Sequence, residues 1–312
     1  MHIALVESSR AVQSAIVQLL QPRGHQISVF NDPCKALDWI AADETVEAVI
    51  TSAELAPISG IELCWEARLL AGGRRPLYIM LMTSNLDEKT MIECLDMGAD
   101  EIISKPPNRK ELLARLRVGE RNVRLQDELI RLATTDPMTG LFNRRAFFEH
   151  GLELSRAGVG ESRLSAVLFD IDHFKEINDL YGHQTGDQAI VGVAAEAKKN
   201  RRVVGRLGGD EICILLPAHG LSRAWDFAED LRCRLASLRI KTPGGTVSIT
   251  CSLGVSELKA GDGIDDLIRD ADLALYRAKR EGKDCVSTPP PQTWLEENPR
   301  HVCTIVRSRA RQ

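Results

Sequence analysis

The stretch LSAVLFDIDHFKEINDLYGHQTGD, residues 164–187, opens as an apolar strand, turns acidic at its end and continues at helical spacing. Side chains alternate along a strand, so Asp170 and Asp172 fall on the same side just before the helix begins. The next decisive segment is RVVGRLGGDEICILLP, 202–217, two apolar runs broken by Gly208, Gly209, Asp210 and Glu211. It reads as a β-hairpin with acids at its turn. Gly-Asp is a common turn pair and says little alone. Two glycines that let a backbone approach a phosphate, beside carboxylates suited to a divalent cation, say more. Asp172 stands where strand gives way to helix, and is expected to cap that helix rather than to hold metal.

With DPMTGLFNRRAF from 136 and ADLALYRAKREGKD at 271–284, these segments resemble, in order, the GGDEF family of diguanylate cyclases across essentially the whole second half. The order of strand, helices, hairpin, helix, the strand TVSITCSLGV (246–255) and a last helix fits the α+β ferredoxin-like nucleotidyl-cyclase core of that family. The resemblance implies that two GTP molecules condense to cyclic di-GMP with release of pyrophosphate, each half-site on a different subunit. It implies Mg²⁺, with Mn²⁺ as the alternative ion, held by Asp170, the Ile171 carbonyl, Asp210 and Glu211. One of the last two would assist deprotonation of the attacking 3′-hydroxyl. Asn178 and Asp187 match the guanine-reading positions, with Phe174 and His183 nearby and Gly208 and Gly209 at the phosphates. Lys175, Lys279 and Lys283 match basic positions facing the triphosphate, Lys283 standing where Arg is usual.

Two departures are visible. Ile212 replaces the Phe that ends the motif, an exchange of one apolar strand residue for another. The inhibitory RxxD product site is missing, because the stretch reads KKNRRVVGR with Arg202 at the Asp position. Family-type product feedback is therefore not expected, although Lys198, Lys199, Arg201 and Arg202 form a basic cluster. A non-catalytic GTP or cyclic di-GMP binding protein is the rival reading. The complete acid, glycine and guanine-reading set favours the enzyme, and Asn178 with Asp187 argues against a different cyclic nucleotide.

The first half alternates short apolar runs, IALVE (3–7), ISVF (27–30), AVIT (48–51), LYIMLM (77–82) and EIIS (101–104), with four segments of helical spacing. That pattern predicts a flavodoxin-like, doubly wound parallel sheet. LVESS, SAELAPISG, MTS and GADEIISKP then resemble the receiver domains of bacterial response regulators. The resemblance puts Glu7 and Ser8 at the acidic pair, Ser52 at the phosphoacceptor Asp, and keeps Thr83 and Lys105. Glu54 lies two residues past Ser52, where an extended segment need not aim it into the same pocket. The pocket reads as vestigial; the rival reading is a non-phosphate ligand or a direct protein contact at the same face.

The segment NRKELLARLRVGERNVRLQDELIRLATT, 108–135, is rich in helix formers, with Gly119 its weak point. Val118, Leu125 and Leu132 recur every seven residues, with Asn122 and Leu129 at the complementary positions, which favours a coiled-coil stalk of a homodimer. The expected layout is a receiver-like domain over 1–107, a helical linker over 108–135, the cyclase domain over 136–288 and a flexible tail over 289–312.

Composition sets the outer limits. A chain of 312 residues, 44% apolar and 27% charged, has room for two cored domains. Its net charge of −4 gives no footprint for nucleic acid. No run approaches bilayer length, and the eight scattered cysteines fit free thiols in a reducing compartment, so a cytoplasmic protein is expected, with no membrane or nucleic-acid partner.

Overall fold

The computed structural model describes residues 1–73, 75–85, 87–157, 163–199, 202–242 and 245–289. Two compact units divide the chain, Met1–Ala133 and Thr134–Gln312. Arg201 of the basic cluster and the tail from 290 onward lie outside the described residues.

The N-terminal unit runs β1 (His2–Val6), α1 (Arg10–Leu20), β2 (Gln26–Phe30), α2 (Pro33–Ala42), β3 (Ala48–Ser52), α3 (Gly60–Ala71), β4 (Tyr78–Thr83), α4 (Glu88–Asp96), β5 (Glu101–Ser104) and α5 (Arg109–Thr134). The five strands pair in parallel in the order β2-β1-β3-β4-β5. β3 and β4 are buried throughout, as strands covered by helices on both faces must be. One core cluster, with Val49, Leu63, Ile79 and Leu81, fills one side; the other, with Ile3, Leu5, Ile50 and Met80, fills the opposite one. Helix starts are written locally, by Asp32 ahead of Pro33 and by a reciprocal Ser59–Glu62 capping box.

α5 carries two stripes rather than one. Leu112, Leu116, Gly119 and Val123 are buried, and the three apolar ones join the core cluster of β1, β3 and β4. Val118, Leu125, Leu129 and Leu132 lie exposed on other faces, as does Asn122. Gly119 is explained by the first stripe: a Cβ there would stand 2.4 Å from the Tyr78 ring. A helix glycine costs about 1 kcal/mol, whereas each large apolar side chain buried contributes roughly 1.5–3 kcal/mol, so close approach is the better bargain.

The C-terminal unit runs α6 (Arg144–Ala157), β6 (Leu164–Ile171), α7 (Phe174–Tyr181), α8 (His183–Lys198), β7 (Val203–Gly208), β8 (Glu211–Pro217), α9 (Leu221–Ala236), β9 (Arg239–Thr242), β10 (Gly245–Ser248), β11 (Cys251–Glu257), α10 (Ile264–Arg280) and β12 (Val286–Ser287). The main sheet has the order β12-β11-β6-β8-β7. β11, β6, β8 and β7 pair antiparallel, giving the ferredoxin-like core, while β12 adds a parallel edge. Helices α8 and α9 cover one face through Val193, Ala194, Ala228 and Leu231; α6 and α10 cover the other through Phe147, Leu267, Ala271 and Leu275.

The segment 246–255 departs from the single strand expected. β10 pairs with β9 in a separate two-stranded ribbon, and β11 starts only at Cys251. Between them the Thr250 carbonyl accepts the Asp172 N–H at 2.9 Å and the Thr250 hydroxyl donates to the Asp172 carboxylate at 2.8 Å. Apolar alternation runs unbroken through the stretch, so nothing local signals the break.

Replacing Gly119 with Ala should destabilise the N-terminal unit by about 1–3 kcal/mol in a urea melt, although Ala is the better helix former, because the methyl overpacks against Tyr78. An unchanged or raised midpoint would show that the helix can retreat at no cost.

Candidate active site

β6 is buried along its whole length and delivers Asp170, Ile171 and Asp172 to its C-terminal end. The β7–β8 hairpin turns through Gly209 and Asp210, with Gly208 paired to Glu211. α10 lies across the same sheet and brings in Lys279, which donates to Asp170 Oδ2 across 109 residues of sequence. Asp170 Oδ1 is buried and has no hydrogen-bond partner among the described residues.

Charge organises this end of the sheet. Burial raises the Asp170 carboxyl to about 6 even though Lys279 pulls it down. Burial also raises Asp210, against amide hydrogen bonds at Asp210 and Ile171. Burial opposes the charge on Lys279, but Asp170, then Asp210 and Glu211, hold its pKa above that of an ordinary lysine. The ammonium therefore already stands among the three acids expected to share a cation. No three acidic, histidine or cysteine side chains among the described residues form a ready ion cage. An orphaned, buried carboxylate oxygen beside a half-buried Asp210 and Glu211 nonetheless suits a hard divalent cation that takes its remaining ligands from phosphate and water.

Asp172 is not a helix cap. The N-cap of α7 is His173, with φ 57° and no side-chain cap bond. Asp172 is instead buried and accepts from Thr250 Oγ1 at 2.8 Å, Ser252 Oγ at 2.6 Å and the Asp284 N–H at 3.0 Å. Three donors from elsewhere engage the carboxylate, which is therefore not turned to the α7 amides.

A second group of expected residues gathers where α7 meets α8. Asn178 is half-buried, its Oδ1 buried without a partner among the described residues. Gly186 faces that oxygen so closely that a Cβ would stand 2.0 Å from it. Phe174 packs on the core cluster beside Gly186. His183 and Asp187 are exposed on the first turns of α8, and Lys175 is exposed on the first turn of α7. Lys283 stands apart from the acids, its Nζ 3.1 Å from His173 Nε2. The basic cluster is largely spoken for: Lys198 donates to the Gly140 carbonyl, Lys199 pairs with Glu196, and Arg202 lies over the Phe227 ring.

The Arg206–Asp136 pair was not anticipated. Arg206 Nη1 bridges both Asp136 oxygens at 3.1 Å, and its Nε donates to the Gly209 carbonyl at 2.8 Å. It thus ties DPMTG to the hairpin tip. The Asp at the head of that motif was the available signal.

At the corresponding end of the N-terminal sheet, Glu7, Ser52 and Thr83 are buried. Lys105 Nζ donates to Ser52 Oγ at 2.6 Å and lies 3.0 Å from Glu7 Oε2. Glu54 does reach this pocket. It accepts from Ser52 Oγ at 3.0 Å and from the Ser84 N–H at 3.1 Å, and lies 3.6 Å from Lys105. Against its burial, the Ser84 and Ser52 hydrogen bonds hold its carboxyl below the ordinary range.

The family model described as diguanylate cyclase, GGDEF domain, matches residues 133–285, and that of the response regulator receiver domain matches 3–117. The C-terminal unit is a GGDEF domain, and the N-terminal unit is a receiver domain. Response regulator PleD of Caulobacter vibrioides is 32% identical over 278 residues, 84% of this chain and 60% of PleD. Diguanylate cyclase DgcP of Pseudomonas aeruginosa is 40% identical over 156 residues, 49% of this chain and 23% of that protein. The chain thus spans less than two thirds of either relative. The crystal structure of the coiled coil and GGDEF domain of DgcB from Caulobacter crescentus in complex with c-di-GMP is 35% identical, covers 56% of this chain and 98% of that one, and superposes with a TM-score of 0.50. No helix among the described residues is long and apolar enough to cross a membrane.

The GGDEF domain should show its buried acid in a pH series taken in chelator without nucleotide. A carboxyl raised above its unfolded value binds protons more tightly when folded, so its cost is complete above about pH 6 and fades as pH falls towards 3.8. Asp170→Asn should therefore melt higher than wild type at pH 8, with the gap closing by pH 4–5, as followed by circular dichroism. A gap independent of pH would show that Asp170 is not the group titrating.

Proposed function

We propose that this chain is a diguanylate cyclase, condensing two GTP molecules into cyclic di-GMP with release of two pyrophosphates. The observation that carries the reading is the meeting of Asp170, Asp210 and Glu211 around Lys279 at the hairpin tip, with one Asp170 oxygen left unpartnered. In each step the 3′-oxygen of one GTP forms a bond to the α-phosphorus of the other. The bond from that phosphorus to the bridging oxygen breaks, and pyrophosphate leaves. Charge neutralisation and alignment supply most of the rate in such transfers.

Asp170, the Ile171 carbonyl, Asp210 and Glu211 would hold Mg²⁺ or Mn²⁺, and Asp210 or Glu211 would accept the hydroxyl proton. The ion supplies charge neutralisation at the phosphates. Lys279, now on Asp170, would shift to the triphosphate, with Lys175 and Lys283 beside it, and Gly208 and Gly209 would let the turn backbone close on the phosphates. The unpartnered Asn178 Oδ1 suits the guanine amino group, and Asp187 suits the ring N–H beside it. His183 would border the base and Phe174 would support the corner.

Each site holds one GTP, so turnover requires two subunits. The exposed stripe of Val118, Leu125, Leu129 and Leu132 on α5 supports a homodimer formed through the linker helix and the receiver domain. In that domain Ser52 cannot form an acyl phosphate, and the Glu54 carboxylate already meets Ser52, the Ser84 amide and Lys105. The receiver is thus proposed to work without phosphorylation, through protein contacts, in the cytoplasm, where GTP is supplied.

Purified chain incubated with GTP and Mg²⁺ should yield cyclic di-GMP by mass spectrometry, with Glu211→Gln and Asp210→Ala each slower by about a hundredfold or more. GTP alone remaining, even after fusion to an obligate dimer, would overturn the reading. Acetyl phosphate should leave both the mass of the chain and its turnover unchanged; a phosphorylated Ser52 would refute the receiver's proposed independence.

A further inference from the structure

Beyond the ion-holding acids, the geometry points to Asp172 as a positioning residue that holds Lys283 in place for the triphosphate of bound GTP. The inference rests on the reading of this site as a GTP site. Asp172 sits one residue past the end of β6, and its backbone N–H donates to the Thr250 carbonyl at 2.9 Å. Its carboxylate is buried and both oxygens are already engaged by protein donors. Oδ1 accepts from Ser252 Oγ at 2.6 Å, and Oδ2 from Thr250 Oγ1 at 2.8 Å and the Asp284 N–H at 3.0 Å.

The Asp284 contact carries the consequence. Four non-glycine residues have positive φ among the described residues, and three flank this carboxylate: His173 at 57°, Lys283 at 64° and Asp284 at 45°. Left-handed backbone at such residues persists only where its surroundings over-determine it. Here the Lys283 N–H donates to the Ala278 carbonyl at 3.1 Å, the Asp284 N–H to Asp172, and Arg232 of α9 to Asp284 Oδ1 at 2.7 Å. Arg232 is held in turn by Glu229. The loop after α10 is thereby fixed to β6 and β11 on one side and to α9 on the other, which directs the Lys283 ammonium over His173. A lysine is a flexible point charge where a guanidinium would bring its own fork geometry, so its backbone anchor matters more.

A double-mutant cycle on the full chain tests this, reading calorimetric binding of 3′-deoxy-GTP, which cannot cyclise, in Mg²⁺. Asp172→Asn and Lys283→Ala should each weaken binding about tenfold, and the pair no more than either alone. Arg232→Gln cuts the outer anchor and leaves β6 intact; it should weaken binding about threefold in the wild type and not at all beside Lys283→Ala, and it serves if Asp172→Asn fails to fold. Additive losses, or an Asp172→Asn chain that needs more Mg²⁺ at equal Lys283 dependence, would overturn the positioning role. A wild-type chain that does not bind the analogue would overturn the GTP reading itself and this inference with it, which separates the two failures.

Discussion

The cyclase-like end of the molecule depends on one electrostatic constraint, a carboxylate buried at the end of a central strand. Two opposite charges about 4 Å apart attract by about 4 kcal/mol at an effective dielectric near 20, whereas desolvation costs several kcal/mol per ion. Asp170 bears that cost almost alone, because Lys279 is 40% exposed and so attracts it through partly screened charge, and the Asp170 carboxyl stays raised to about 6 despite its partner. A site left in this condition gains from any further positive charge brought to it. The strand order of the domain serves the same end. β6 lies at the centre, β8 on one side carries the hairpin acids, and α10 packs across to deliver the lysine.

The sheets and the hairpin were legible because their signals are local. Five apolar runs at helix-length intervals specify a parallel sheet, and GGDE between two apolar runs specifies a turn with acids. The parts that escaped reading depend on long-range meetings. Nothing near Asp172 announces that Thr250, Ser252 and Asp284 will converge on it, so a junction rule assigned it to a helix cap. The same hidden contact breaks the strand at 249–250. Likewise the heptad stripe on α5 concealed a second stripe, Leu112, Leu116, Gly119 and Val123, because one helix can serve two faces at once. Asn178 was picked out by motif, whereas the need for Gly186 opposite it became visible only from the packing.

The substitutions that separate the receiver domain from its family read differently once their surroundings are known. Replacing an Asp by Ser52 removes a nucleophile but leaves Lys105 with a buried charge to satisfy. Glu7 alone supplies one carboxylate, and Glu54 supplies the second from the loop beyond β3. The Lys105 charge at that sheet end is thus compensated by the chain itself, while Glu7 Oε2 keeps the ion pair without a hydrogen bond among the described residues. Thr83 keeps a local role, exchanging hydrogen bonds with the backbone of Asn85.

Glu54 is about half exposed, whereas Ser52 beside it is buried and Lys105 largely so. From a solvent-facing loop, the Glu54 carboxylate already meets Ser52, the Ser84 amide and Lys105. Any input acting there must offer Ser52, Lys105 and the Ser84 amide better partners than Glu54 does, and its effect is bounded by the difference between the two. A ligand at this face would compete with a charge that the sequence carries permanently, so the contacts of Glu54 set the least that it must gain.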